Sequence, residues 1–497
     1  MEYFINCNTS GLAQYNTPLD KTKAEHLYRR LGFSASAQTI NAAVGQSVDA
    51  LVDTFINDAV NAAPLPPPAW ADWTRANYPE DNDLYNELLT AQFETFSTDY
   101  GNSLINGNLT LRDRLSFFWS NHFVTEYYIY NRCNSFLYYY VNCLQRNAIG
   151  NFRTFVSEMG LTSAMLRYLD GFLNRKENPN ENYARELYEL YTLGEGNGYT
   201  EDDIVETAKA LTGYTERGEV GCTPITFDPE EFNTDAKTIF GQTGNWGYDD
   251  VIDILFTQKE ALIAEFICKK LYEFFVHPDA SDTNSNAPQI ISGLAATFVA
   301  NNFELAPVLS QLFKSEHFFD DAAIGVIIKS PFDLFFNFIK ETNFTYNDEL
   351  VLGAINSCGM IGQTLFNPVD VAGWQRDRQW INTNYMIGRW ITMERFVNEF
   401  YTNNRDQFRE LGVQATGANG ATESDPNVVA RAIIDKFLPK GLLTEADYTA
   451  AITAFRAPYE DNNVYETGTW NMMLPDADSQ VFLLLVHLVK EPEFQLK

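Results

Sequence analysis

The residues best suited to chemistry lie in the segment NPNENYARELYELYTLGEGNGYTEDDIVETAKALTG, residues 178–213. At 100° per residue on a helix, Asn182, Glu186 and Glu189 project within about 40° of their mean direction, with Arg185 beside them. Two neighbouring carboxyl groups with different pKa values can act as acid and base, or can bind a cation. Glu186 and Glu189 are therefore candidate catalytic residues. Asn182 and Arg185 are candidate ligand-binding residues, for a hydroxyl or carbonyl group and for an anionic group respectively.

Two structural interpretations of the same polar stripe compete with this one. The i, i+4 spacing of Glu181, Arg185 and Glu189 is that of ordinary salt bridges on a solvated helix face. Alternatively, Arg185 and the glutamates could pair with the segment LYRR, Leu27–Arg30, as buried charges that lock helices together.

The glycines after the stripe predict a helix end and a new helix start. Gly194 is placed as a helix-terminating glycine, and Thr200 with Asp203 forms a capping-box pattern. A phosphate-binding loop is excluded, because the acidic run 201–203 would occupy the first turn and no Gly-Lys-Ser/Thr follows. A divalent cation is chemically more plausible, although the oxygen spacing is not that of an EF-hand loop. No cofactor-binding motif is evident, and no metal ligand set can be named.

His122 lies in the aromatic segment SFFWSNHFVTEYY beside Asn121. It is a candidate catalytic residue, and Asn121 is a candidate ligand-binding residue. The competing interpretation is a core histidine with one hydrogen-bonded nitrogen. The five histidines show no His-Glu-x-x-His pattern, and no Gly-x-Ser-x-Gly motif is present.

Charge and hydropathy restrict the class of partner. With 35 Lys+Arg and 66 Asp+Glu the formal net charge is −31, which disfavours nucleic acid and other polyanions. The start of the chain lacks the basic and apolar regions of a secretory signal, and no apolar run is long enough for a transmembrane segment. The six cysteines form no Cys-x-x-Cys pair, so reduced and mostly buried thiols are expected.

Apolar residues recur at helical spacing through nearly the whole chain, which predicts a large all-α globular body of one or two lobes. We expect one domain over residues 1–497, with an N-terminal extension at 1–20 and loops at 412–427 and 457–478. The strand-like segments CTPITF and KTIFG predict a short β-hairpin flap within 214–248. The predicted helical segments are 21–31, 38–58, 83–96, 111–145, 151–173, 180–193, 201–212, 249–276, 288–314, 331–341, 349–358, 383–403, 427–437, 444–456 and 478–489.

Several long motifs resemble one bacterial family, DUF1800, in its Bacteroidetes-type form. The motifs occur in the expected order over nearly the whole chain: AEHLYRRLGF, FFWSNHF, NENYARELYELYTLG, YTEDDIVETAKALTGY and GQTLFNPVDVAGW. The resemblance implies a large, mainly helical protein without an established activity. Where relatives commonly carry His-Asp, this chain has Phe232 and Asn233, so chemistry that depends on that pair is not expected here.

The resemblance also implies a functional setting. Members are often exported and often encoded beside a second family similar to alkaline phosphatases and sulfatases. The first hypothesis is therefore an accessory protein that binds such an envelope or extracellular enzyme. The second is an enzyme in which His122, Glu186 and Glu189 perform acid–base chemistry on a neutral or cationic carbohydrate or peptide.

Overall fold

The fold is described from a computed structural model covering residues 10–106, 111–216, 222–281, 285–417, 420–459 and 463–497. Most of these residues are helical. Cys7 and the other residues outside these ranges are not described. The α-helices are α1 Lys21–Leu31, α2 Ala37–Ala43, α3 Val48–Asn61, α4 Asn82–Ile105, α5 Leu111–Ser120, α6 Asn134–Asn147, α7 Phe152–Gly160, α8 Ser163–Tyr168, α9 Asn182–Glu186, α10 Glu201–Ala210, α11 Tyr248–Gln258, α12 Glu260–Phe275, α13 Ala287–Ala300, α14 Leu305–Phe313, α15 Pro331–Thr342, α16 Asp348–Met360, α17 Thr383–Asn403, α18 Asp406–Ala415, α19 Pro426–Phe437, α20 Glu445–Arg456 and α21 Ala477–Leu488.

Polar residues at the helix starts fix many of these bounds. The side chain of Asp20 accepts a hydrogen bond from the backbone N–H of Lys23 and so caps α1. Ser330 and Asp333 form a capping box at the start of α15. The predicted capping box of Thr200 and Asp203 is confirmed at α10. Such caps satisfy N–H groups that have no partner within the helix.

The predicted all-α class is confirmed, but some predicted helical segments are divided. Segment 38–58 forms α2 and α3, separated by a turn in which Gly45 has φ +82°. Segment 111–145 forms α5 and α6, because the intervening loop places Asn131 and Arg132 in the left-handed region. Helix α18 lies where no helix was predicted.

The predicted flap consists of two hairpins rather than one. Strand β1, Tyr214–Glu216, pairs antiparallel with β2, Ile225–Phe227. Strand β3, Lys237–Ile239, pairs antiparallel with β4, Gln242–Gly244. Each of the two strand-like segments identified in the sequence therefore pairs with a different neighbouring strand, CTPITF with β1 and KTIFG with β4.

Two fully buried helices lie at the centre of the described core. Every residue of α5 and every residue of α15 is buried. Phe117 of α5 contacts Phe332 of α15 with ring centroids 5.0 Å apart, and Phe118 contacts Phe274 of α12 at 4.9 Å. Because α5 and α15 also carry charged residues, ion pairs are buried within this apolar core.

The cysteine prediction was partly wrong. Cys133 and Cys222 form a disulfide with their Cα atoms 5.3 Å apart. Sequence spacing alone did not indicate this bridge, because its two residues are 89 positions apart. Cys143, Cys268 and Cys358 are free and buried, as expected.

Candidate active site

The predicted polar stripe forms an ion network with the next helix. The guanidinium of Arg185 lies 3.3 Å from carboxylate oxygens of both Glu181 and Glu189, and 2.8 Å from Glu201 of α10. The Arg185 side chain is 32% exposed and that of Glu201 is 73% exposed. The hydrogen bond with Glu201 raises the pKa of Arg185. The predicted i, i+4 ion pairs are therefore confirmed, on a surface that water reaches.

The proposed pairing of Arg185 with segment 27–30 is wrong. Nε of Arg29 instead lies 2.7 Å from Oε1 of Glu341, and Arg30 donates to the carbonyl oxygen of Ala323 at 2.6 Å. Both arginines of α1 thus have partners elsewhere in the core.

Glu186 is half-buried next to Glu189 on the same stripe. Burial raises the pKa of Glu186, and the negative charge of Glu189 acts in the same direction. Asn182 is also partly buried, and its backbone N–H donates to Oδ1 of Asn180 at 2.9 Å. These side chains do not line the cavity beside His122 that is described below.

The helix carrying the stripe ends as a π-helix, Leu187–Thr192. The backbone N–H of Leu193 donates to the carbonyl oxygen of Tyr188 at 2.8 Å, five residues back. π-Helical turns are rare and frequently occur at functional sites. The last carbonyl groups of a helix lack intrahelical donors, so here they are free to accept hydrogen bonds from other elements.

His122 and Lys270 supply those donors. Nε2 of His122 lies 3.1 Å from the carbonyl oxygen of Tyr191, and Nζ of Lys270 lies 3.2 Å from that of Leu190. Nζ of Lys270 also lies 3.1 Å from Nδ1 of His122. The motif helix therefore reaches His122 through its backbone carbonyls, not through its carboxylates.

The hydrogen bonds define the protonation of His122. A carbonyl oxygen can only accept, so Nε2 carries the hydrogen and Nδ1 accepts from Lys270. Burial lowers the pKa of His122 well below its ordinary value. His122 is thus a neutral buried histidine with both ring nitrogens engaged.

A cavity opens beside this pair, between the end of α5, one face of α12 and the segment 374–380. It encloses about 860 Å³ of space, counting its open mouth. Asn121 and His122 are the sequence-predicted site residues that line it. Its other polar or charged lining residues are Lys270, Glu273, Ser330, Asp333, Gln363, Gln375, Arg376, Asp377 and Lys497.

Lys270 is the most chemically unusual group of this cavity. Burial lowers its pKa from an ordinary value of 10.5 to about 7, and the positive charge of Arg376 acts in the same direction. Glu273 and Phe274 follow on the same face of α12. Burial raises the pKa of Glu273. A lysine amine that is neutral near neutral pH can act as a base or a nucleophile.

Asn121 holds one wall of the cavity in place. Its Oδ1 accepts a hydrogen bond from the backbone N–H of Trp374 at 2.6 Å. The Trp374 ring stacks on Phe117 with centroids 5.4 Å apart. The preceding residue, Gly373, has φ +100°, and a Cβ there would lie 2.3 Å from Oδ1 of Asn121. A side chain is therefore excluded at Gly373 by both the backbone conformation and the available space.

A buried ion cluster lies at one side of the cavity. Asp333 lies 2.8 Å from Arg114 and 2.6 Å from Nζ of Lys497. Burial by itself raises the pKa of Asp333, but Arg114 and Lys497 together hold that pKa well below its ordinary value. Burial lowers the pKa of Lys497 to about 7. Arg30 is also buried, and its Nε and Nη1 make no hydrogen bond to the described residues.

Sequence reasoning did not identify Lys270, Glu273, Arg376 or Lys497. One signal could have identified Lys270, because it lies close to the buried stripe of α12 formed by residues such as Ile267 and Leu271. A lysine there is costly to bury unless it has partners. Its partners, however, are a backbone carbonyl 80 residues away and a histidine ring 148 residues away, which no local pattern shows.

The described residues contain no group of three or more His, Cys, Asp or Glu side chains placed to hold a metal ion. None of the helices in these same ranges is both long and apolar enough to cross a bilayer.

The fold and the site together define a mainly helical protein with a cavity beside a lysine–histidine pair, and this pair hydrogen-bonds to the end of a π-helix. The chain belongs to the family described as Protein of unknown function (DUF1800), whose sequence profile matches residues 26–496. Comparisons with curated proteins and with solved structures gave no match.

Proposed function

We propose that the cavity beside His122 is an enzyme active site for a small organic anion, and that Lys270 acts on this molecule through its neutral amine. The observation that carries the proposal is the contact of Lys270 Nζ with Nδ1 of His122 at the cavity wall. His122 is neutral and accepts this hydrogen bond, so it does not supply a negative charge that would keep Lys270 protonated. The amine is therefore available as a base or nucleophile.

The charges around the cavity favour an anion. Arg376 and Lys497 line it, and two further arginines, Arg30 and Arg114, lie behind Lys497. With Lys270 neutral, these four cationic side chains outnumber the three lining carboxylates, which belong to Glu273, Asp333 and Asp377. The carboxylate of Asp333 is already engaged with Arg114 and Lys497. A local cationic surplus in a chain of net charge −31 is a focused site for a negatively charged group.

The cavity walls favour a ligand with an apolar or planar part. Phe117, Phe118, Phe274, Trp374 and Trp380 all line the cavity. Small-molecule sites typically combine such apolar walls with a few polar groups that fix orientation. An organic acid with an aromatic or aliphatic body matches both properties.

Ligand-induced stabilisation tests this function. We expect phenylacetate to raise the Tm of the wild type in a concentration-dependent way, because a ligand that binds only the folded state stabilises it. Benzyl alcohol, which lacks the carboxylate, should raise it less. Arg376→Gln should weaken the response, because it removes the cation that binds the carboxylate, whereas Lys269→Met, at an exposed position, should retain it. Equal responses to both compounds in all variants would contradict an anion site.

Acid–base chemistry by Glu186 and Glu189 on a neutral or cationic carbohydrate or peptide is a second candidate function. The raised pKa of half-buried Glu186 supports it. Glu186→Gln and Glu189→Gln should abolish such an activity while leaving the response to phenylacetate intact. Full activity in both variants would exclude this pair from the mechanism.

An accessory role with an alkaline-phosphatase- or sulfatase-like partner has a separate structural support. Ile387, Trp390 and Ile391 are exposed at i, i+3, i+4 spacing on α17, and Ile381 is exposed just before that helix. Contiguous exposed apolar residues often mark protein contacts. Ile387→Glu combined with Ile391→Glu should then abolish co-purification of such an enzyme from the native host.

The Cys133–Cys222 disulfide supports an oxidising compartment for this chain. This agrees with the export that the family resemblance implies. Free-thiol labelling of the protein isolated from its host would test it, since a cytosolic protein should show these two cysteines reduced.

A further inference from the structure

We infer that the molecule bound in the cavity carries an aldehyde or ketone group as well as its negative charge, and that Lys270 condenses with that carbonyl carbon to form an imine. This inference rests on the proposed function and specifies its substrate class, an oxo acid. It is carried by the hydrogen bonds of Nζ and by the groups that line the cavity.

The two hydrogen bonds of Nζ orient the neutral amine. Its two hydrogens are directed to Nδ1 of His122 and to the carbonyl oxygen of Leu190. A neutral amine nitrogen has four tetrahedral positions, and Cε and the two hydrogens take three of them. The remaining position holds the lone pair. Since both hydrogens are engaged by acceptors of the protein itself, the amine is arranged as a nucleophile rather than as a hydrogen-bond donor to the ligand.

Arg376 supports a carbonyl substrate in two ways. Its positive charge helps to keep Lys270 neutral, as a neighbouring cation does for lysines that form imines. The same guanidinium lines the cavity and can bind the carboxylate of the incoming molecule.

Glu273 can supply the proton that the condensation requires. It lines the cavity on the same face of α12 as Lys270, and its carboxyl group is half-buried. In the first step the amine nitrogen forms a bond to the carbonyl carbon, and a proton moves from nitrogen to the carbonyl oxygen. In the second step the Glu273 carboxyl protonates the hydroxyl, which leaves as water while nitrogen forms the C=N bond.

The product is a protonated imine beside a Glu273 carboxylate. One N–H remains on the iminium nitrogen and can still donate to Nδ1 of His122, whereas the bond to the Leu190 carbonyl is lost. Amine, carbonyl compound and one proton give iminium and water, so the step needs no oxidant, reductant or metal. Glu273 and the iminium then have opposite charges within one cavity.

Reductive trapping tests the imine directly. The full-length protein is incubated with pyruvate or phenylpyruvate and sodium cyanoborohydride, and modified peptides are mapped by mass spectrometry. We expect one dominant adduct on Lys270, formed at least ten times faster than on exposed Lys269. An adduct spread evenly over surface lysines would overturn the inference. The comparison of adducts on Lys270 and Lys269 is made within the wild-type protein and needs no variant.

A binding measurement separates failure of the imine from failure of the site. Without reductant, phenylpyruvate and phenylacetate are compared by their effect on Tm in the wild type and in Arg376→Gln. If both acids stabilise the wild type in an Arg376-dependent way but no adduct forms, the imine is overturned and the anion site stands. If neither acid binds and no adduct forms, both proposals fail. Glu273→Gln should slow adduct formation at least tenfold while retaining binding.

Discussion

Nζ of Lys270 and Nδ1 of His122 lie 3.1 Å apart, and the two side chains hydrogen-bond to the consecutive carbonyl groups of Leu190 and Tyr191. The end of a π-helix is thereby joined to α12 and to the end of α5. The motif helix therefore contacts two residues of the cavity wall, although its carboxylates do not line the cavity. The backbone of the motif, rather than its charges, positions the reactive amine.

Replacing Lys270 should change how stability depends on pH. The folded protein holds the pKa of Lys270 at about 7, below its ordinary 10.5, so folding is penalised most below pH 7. Between pH 7 and 10.5 the unfolded chain binds a proton that the folded protein does not, so stability rises with pH in this window. Lys270→Met should therefore raise Tm relative to the wild type more at pH 6.5 than at pH 10.

Lys269→Met provides the matched control for this pH series. Lys269 is exposed on α12, so its replacement should shift Tm equally at both pH values. A Lys270→Met effect that is the same at pH 6.5 and pH 10 would contradict the partly buried, neutral amine. Scanning calorimetry at the two pH values gives both comparisons.

Removing the imidazole of His122 should destabilise the fold. His122→Ala leaves the Tyr191 carbonyl without its donor in a buried site, which costs about 1–3 kcal/mol, in addition to the lost ring contacts. His122→Gln retains an amide N–H donor of similar reach and should recover part of this loss. Denaturant unfolding measures both variants, and equal stability of the two would indicate that the hydrogen bond contributes little.

The sequence predicts helices better than it predicts the site. Helices α1 and α17 have the predicted bounds because their apolar spacing and their caps are local properties. Asn121 and His122 were identified because an aromatic segment interrupted by polar residues is also a local pattern. The role of Lys270 depends on which distant helix end meets α12, and no local periodicity contains that information.

A side chain at Gly373 should disrupt the cavity wall. Gly373→Ala places a Cβ 2.3 Å from Oδ1 of Asn121 and also forces alanine into φ +100°. The strained backbone alone costs about 1–3 kcal/mol. Gly45→Ala is the matched control, because Gly45 has φ +82° but a Cβ there would have no neighbouring atom within 4 Å. We expect Gly373→Ala to lower Tm more than Gly45→Ala and to reduce the response to phenylacetate.

Opening the disulfide should lower stability substantially. Cys133→Ser combined with Cys222→Ser removes a cross-link that closes a segment of 89 residues, for which about 2–5 kcal/mol is typical. A reducing agent should lower the Tm of the wild type in the same direction and leave the double variant unchanged. Cys143→Ala, at a buried free cysteine, should remain sensitive to the reducing agent. If the reducing agent left the Tm of the wild type unchanged, this result would argue against the disulfide.

The two ion networks should differ sharply in their contribution to stability. Asp333 is buried and lies between Arg114 and Lys497, so Asp333→Asn leaves these cations without their counter-charge and should cost about 3–5 kcal/mol. Arg185→Ala removes ion pairs to which water has access, and such pairs contribute little, so only a small decrease in Tm is expected.

Because the folded pKa of Asp333 is depressed, its stabilisation is present above pH 3.8 and is lost as the pH falls towards the folded pKa. Asp333→Asn should therefore also flatten the loss of stability in acid, whereas Arg185→Ala should not. Denaturant unfolding from pH 7 to pH 2 measures both effects, and a larger loss for Arg185→Ala than for Asp333→Asn would reverse this assignment of the structural charges.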